Sequence, residues 1–140
     1  QWVTDIRRVL EGLGKLVYKG RLPKVRLVGR GEAGPLAVVA GALEPGIDQV
    51  HTHGAPVSVI TDEPYEDGPI GTLIPGSLKT IGDLPQLMSL LAPRPLRVVD
   101  PVTAGGEPLN VAQARQGLKH TRATYRVLKA EKALVIETGG

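Results

Sequence analysis

Apolar positions along the chain change period from segment to segment. From Thr4 to Val17, Ile6, Val9, Leu10, Leu13, Leu16 and Val17 recur at the spacing of one helix face, with Arg7, Arg8, Glu11 and Lys15 opposite. This predicts an amphipathic helix that Thr4 or Asp5 can cap. Gly12 and Gly14 weaken its second half, and Gly20 to Pro23 turn the chain. Val25, Leu27 and Val28 then form a short run of strand character that ends at Gly29. Gly29, Gly31 and Gly34 follow in quick succession. An alanine-rich apolar stretch from Pro35 to Leu43 predicts a helix, with proline in the first turn, where the N–H has no intrahelical acceptor.

Ile47 to His53 reads as a second, short strand, and the segment from Ala55 to Gly82 as irregular. That segment carries Asp62, Glu63, Glu66 and Asp67, with a short strand or turn near Thr72 to Ile74. Asp83 stands where it would cap a helix from Leu84 to Leu91, whose apolar side is Leu87, Met88, Leu90 and Leu91; Pro93-Arg94-Pro95 stops it. Leu96 to Asp100 is apolar enough to predict a third strand covered on both faces. After a loop from Pro101 to Leu109, Asn110 caps the longest helix of the chain. In it Val111, Ala114, Leu118, Thr121, Tyr125 and Leu128 keep the helical period while Arg115, Lys119, Arg122, Arg126 and Lys129 stay in water. Ala133 to Glu137 is the last strand. Alternation of strand and helix implies an α/β fold, a mostly parallel sheet of about four strands with helices on both faces.

At 140 residues the chain is long enough for one compact domain and too short for two. A chain that opens on Gln1 is expected to be processed or part of a longer protein. The 18 glycines and 12 prolines fall between the periodic segments and mark turns, and with no Phe and one Trp the core must be built from Val, Leu, Ile and Ala. The net charge of +3 is scattered, without a basic block interleaved with aromatics, which argues against nucleic acid as a partner. No apolar run reaches the roughly 18 to 20 residues of a membrane span, so a membrane partner is not expected. Absence of cysteine excludes disulfides, thiolate chemistry and cysteine-based zinc sites, and leaves the compartment open.

The glycine turn is where chemistry is to be sought. Gly29, Gly31 and Gly34 match the dinucleotide fingerprint G-x-G-x-x-G, with a helix N-terminus following to meet a pyrophosphate. They also stand where α/β-hydrolases carry the nucleophile elbow G-x-S-x-G, and Gly31 then occupies the serine position. A tight strand-to-helix turn that needs a left-handed residue and close packing explains the same glycines without any ligand. For the dinucleotide reading an acid should close the second strand, which instead ends in His51-Thr52-His53, with Asp48 at its start.

The first helix, the glycine elbow, the Leu90-Leu91-Ala92-Pro93-Arg94-Pro95-Leu96 approach to the third strand and the Tyr-containing helix before a strand that leads to Gly139-Gly140 together resemble the C-terminal half of an α/β-hydrolase. The likeness is to the acetyl xylan esterase and dienelactone hydrolase-like group. It implies half of a hydrolase fold, completed by an N-terminal half of the same protein or a partner domain. It also implies a triad acid a few residues after the third strand, where Asp100, Thr103 and Glu107 are available and Thr103 aligns best, and a histidine after the last strand.

Gly31 in place of serine implies a catalytically degenerate esterase relative, a pseudoenzyme that binds a small molecule or carbohydrate or supports a neighbouring domain. The alternatives are a residual ester hydrolase in which Glu32 acts as a base through water, with Asp100 as a second candidate acid, and the dinucleotide module; no cofactor is otherwise implied. Glu32 is equally explained as an acid at a helix N-terminus. His51 and His53, two residues apart on a strand, point the same way but show no third metal ligand in sequence, and His120 falls on the charged helix. The acids from Asp62 to Asp67 lack calcium-loop spacing.

Overall fold

The computed structural model describes residues 1–19, 23–62 and 76–139. Four strands, β1 (Arg26–Arg30), β2 (Gln49–His53), β3 (Leu96–Val99) and β4 (Leu134–Glu137), form one sheet in the order β1-β2-β3-β4, with every pair parallel. The helices are α1 (Trp2–Leu16), α2 (Ala33–Leu43), α3 (Ser77–Thr80), α4 (Leu84–Ser89), α5 (Val111–Gly117) and α6 (Lys119–Val127), with a 3-10 turn over Glu131–Ala133. Glu63, Glu66, Asp67 and the turn expected near Thr72 to Ile74 lie outside the described residues.

Helices were expected on both faces of the sheet; among the described residues they cover one. Each strand is added beside its predecessor in a single direction, and crossovers of one hand then all fall on one side. The covered face consists of Leu27, Gly29, Val50, Thr52, Leu96 and Val98, which stand in register across the sheet. It packs on Val38, Leu87, Met88, Leu91, Leu118 and Tyr125 to make the core. The opposite face carries Arg26, Val28, Arg30, Gln49, His51, His53, Arg97, Val99, Val135 and Glu137. Accordingly the third strand, expected to be buried on both sides, alternates: Leu96 and Val98 are buried, while Arg97 is exposed.

Three further expectations needed correction. Helix α1 begins at Trp2, behind Gln1, so Asp5 does not cap it but sits in its first turn, where the helix dipole favours an acid. Asp83 is the N-cap residue of α4, yet its carboxylate makes no cap bond; it accepts from the Ser58 hydroxyl and from the N–H of Val59 (2.9 Å), pinning the loop after β2. The helix that Asn110 opens is broken into α5 and α6 at Gly117 and Leu118, so the longest helix is α1. Gly117 has the weakest helix propensity of that stretch, and the break lets Leu118 turn fully into the core. Asn110 and Gln113 form a reciprocal capping box, with bonds of 2.9 and 3.0 Å.

Polar side chains tie the helices to one another. The Arg94 guanidinium donates to the carbonyls of Gly41 (2.7 Å), Ile47 (2.7 Å) and Glu44 (3.2 Å), closing the C-terminal end of α2. The Arg94 carbonyl accepts in turn from the Tyr125 hydroxyl (2.7 Å), whose pKa burial pushes upward. Buried Thr121 donates to the Pro85 carbonyl (2.8 Å), joining α6 to α4. On the outer side α1 rests on α2, and Arg7 pairs with Glu44.

Candidate functional site

The C-terminal ends of the four strands form one rim. Arg30, His53, Val99 and Glu137 are register partners across it. Immediately beyond, the chain turns left-handed three times: Gly31 at φ +52°, Gly54 at φ +60° and Asp100 at φ +48°. The Gly31 N–H donates to the His53 carbonyl (2.7 Å), that of Gly54 to Val99 (2.9 Å) and that of Asp100 to Glu137 (2.9 Å). Each loop therefore leaves the sheet still hydrogen-bonded to the next strand.

The three glycines of the elbow have separate physical reasons. A Cβ on Gly29 would stand 2.5 Å from the carbonyl oxygen of Ala33 and 2.7 Å from the Cα of Gly34, and one on Gly34 would overlap the Ala55 side chain. Those two let the first turn of α2 press against the ends of β1 and β2. Gly31 differs: a Cβ there would have no atom within 4 Å, so only its φ of +52° favours glycine. Position 31 is thus the apex of a strand-turn-helix elbow, facing open space and bearing no side chain. In the first turn of α2, Pro35 has no N–H and the Gly34 N–H donates to the Gly31 carbonyl (2.9 Å), so the turn satisfies most of its own donors, and it lacks a nucleophile. Glu32 is exposed beside the apex, at the N-cap of α2, without a side-chain cap bond.

The other candidates are spread along the rim. Asp100 is exposed at the end of β3, and its carboxylate accepts from the N–H of Gly139, holding the segment after β4 against the loop after β3. Thr103 is bound within its own turn. Its N–H donates to the Glu107 carbonyl (2.8 Å), its hydroxyl accepts from the Glu107 N–H (3.1 Å), and its carbonyl accepts from Gly106 (3.1 Å). Asp100 and Gly31 therefore both belong to the rim, two strands apart, whereas Thr103 closes a turn of the loop that follows Asp100.

His51 and His53 share the uncovered face, as their spacing predicts. His51 Nε2 lies 3.3 Å from Gln49 Oε1, and burial, followed by the charges of Arg26 and Arg97, lowers its pKa. Two arginines beside this imidazole repel a cation as they repel its proton. Among the described residues no group of three His, Cys, Asp or Glu side chains could hold a metal. Sequence reasoning missed the pair Arg97 and Glu137, joined by bonds of 2.8 and 2.9 Å across β3 and β4. That hydrogen-bonded guanidinium holds the Glu137 pKa below its usual value. No spacing along the chain betrays such a pair, because only strand register brings position 97 near 137. His120 is exposed on α6.

No protein-family model matches this chain, and no curated protein does. Among solved structures it is similar to a carbohydrate esterase family 15 glucuronoyl esterase from Caldicellulosiruptor kristjansonii, with a TM-score of 0.67 and 16% identity. The shared fold is α/β, with an all-parallel sheet. The match takes in 99% of this chain and 44% of the esterase, so the chain spans less than half the length of the protein it resembles. At this identity the likeness speaks for backbone architecture, the all-parallel sheet and its helices, and not for chemistry.

Proposed function

We propose that this chain is an esterase-related α/β-hydrolase domain that has lost its nucleophile, and that its rim binds carbohydrate or supports an adjoining domain rather than cleaving esters. The observation that carries the reading is the apex of the elbow. Gly31 holds the left-handed conformation of a nucleophile position, open space surrounds it, and no oxygen or sulfur is there to attack a carbonyl. Removing one member of a catalytic triad costs orders of magnitude in rate, because the members act as a unit. Arg30, His53 and Glu137 at the strand ends, with Asp100 beside them, suit a ligand that offers hydroxyl and carboxyl oxygens. The likeness to a glucuronoyl esterase favours a uronic acid or its ester as the first ligand to try.

Hydrolysis of p-nitrophenyl acetate by the protein and by its Glu32→Gln variant, with calorimetric titration by the methyl ester of glucuronic acid, tests this. The expected result is no turnover above buffer, and binding that weakens when Glu32 and Asp100 are replaced. Wild-type turnover that disappears with Glu32→Gln would establish a hydrolase using a carboxylate base and overturn the proposal.

A further inference from the structure

A cleft lies on the flank of the domain, between the α5/α6 pair and β4. Its volume is about 270 Å³, and its lining includes Arg115 of α5, Arg122 and Arg126 of α6, Glu131 ahead of β4, and Leu134 and Ile136 of β4. This is at the small end of the range for small-molecule sites, which begins at about 300 Å³. Leu134 and Ile136 are the register partners of core residues Leu96 and Val98, but on the last strand of the described sheet they stay half-buried and give the cleft an apolar floor.

Arg122 and Arg126 lie a turn apart on α6, and Arg115, on α5 beyond the break at Leu118, lines the same cleft. The like charges of Arg122 and Arg126, four residues apart on α6, oppose one another. Elsewhere Arg7, Arg8 and Arg97 each face a carboxylate. Among the described residues Arg115, Arg122 and Arg126 have neither an ion pair nor a side-chain hydrogen bond, and Glu131, the acid on the cleft wall, neutralises none of them by contact. In sequence these residues read as the wet face of a helix. Their convergence on a concave surface with an apolar floor is a tertiary fact.

A guanidinium presents its donors in a planar fork that fits paired oxygens. Three forks around one cleft match the three terminal oxygens and double charge of a phosphate monoester better than the two oxygens and single charge of a carboxylate. We propose that this flank cleft binds a phosphate monoester with a small apolar body, the phosphate held by Arg115, Arg122 and Arg126 and the apolar part resting on Leu134 and Ile136. The site is independent of the rim and of the missing nucleophile.

Phenyl phosphate is the probe. Its binding is followed by calorimetry and by the methyl resonances of Leu134 and Ile136, with inorganic phosphate, benzoate and phenol titrated in parallel. The expected result is an affinity order of phenyl phosphate above inorganic phosphate and benzoate, with phenol weakest, and affinity that falls with added salt. The double variant Arg122→Gln, Arg126→Gln should lose at least about tenfold in phenyl phosphate affinity, because two charge-assisted contacts are removed. Arg8→Gln, on α1, should lose nothing. Circular dichroism checks that the substitutions, at half-buried Arg122 and exposed Arg126, leave the fold intact. Phenyl phosphate binding no tighter than inorganic phosphate, unchanged affinity in the double variant, or no binding at millimolar concentration each overturns the proposal.

Discussion

Replacing Arg94 by Met tests what holds the sheet to its helices. Arg94 stands between two prolines in the approach to β3, and its guanidinium satisfies three carbonyls, those of Gly41, Glu44 and Ile47, at the end of α2 and the start of the chain toward β2. Methionine keeps the apolar stem and removes the donors. Hydrogen bonds to a charged group contribute about 1.5 to 3 kcal/mol each, but three bonds to one cation are not additive, and part of the loss is recovered if water reaches the carbonyls. The half-buried setting and the position at a helix C-terminus, where a cation is favoured, put the expected loss at about 3 kcal/mol. For a domain of this size that lowers the melting temperature by roughly 9 °C. Arg94→Lys keeps the charge without the fork and should recover about half of the loss.

Urea unfolding followed by far-ultraviolet circular dichroism reads both variants. The midpoint should fall with the slope unchanged, since the folded and unfolded surfaces stay the same. A methionine variant within about 0.5 kcal/mol of the parent, or a lysine variant no better than methionine, would refute the bracing role and mean that the three carbonyls are served equally well by solvent.

Other outcomes follow from the same structure. Gly29→Ala should destabilise by at least about 2 kcal/mol, since its Cβ must enter the first turn of α2, whereas Gly31→Ala meets only the left-handed backbone penalty of about 1 kcal/mol; equal effects in thermal melts would contradict the close approach at Gly29. Stability should decline as the pH drops below 6.5, because the folded-state pKa of His51 is lowered from that value and the unfolded chain binds the proton more readily; His51→Gln should flatten this part of the urea-midpoint profile, and an unchanged slope would sink the assignment. Glu137 acts with the same sign further down, its contribution present above 4.5 and lost as the pH falls through its lower folded value, so Arg97→Gln should make the acid limb shallower. The outer edge of β1 has no partner strand among the described residues, and the sheet face bearing Val28 is uncovered; sedimentation velocity at rising concentration should show association, and a strictly monomeric profile would argue that this edge is protected.

Much of this protein was legible along the chain because local rules set it. The period of Ile6, Leu10 and Leu13 fixed a helix, Asn110 and Gln113 marked a helix start, and alternating strand and helix led to a parallel sheet. The elbow too was visible, since a glycine at position 31 between two packing glycines is a local requirement of backbone angle and close approach. What sequence could not supply were facts about side and depth. Whether helices cover one face or two depends on the direction in which strands are added, and that direction places Arg97 in water where an apolar run suggested burial. Asp83 looked like a cap, but the loop at Ser58 and Val59 competes for its carboxylate and wins. Arg94 resembled part of a stop signal, and only the fold brings three carbonyls within its reach. Arg122 and Arg126 have the same helical spacing whether they face open water or a cleft, and the break at Leu118 decides where Arg115 stands beside them. Spacing reports which residues share a stripe, and the packing of a distant strand beneath them decides what that stripe encloses.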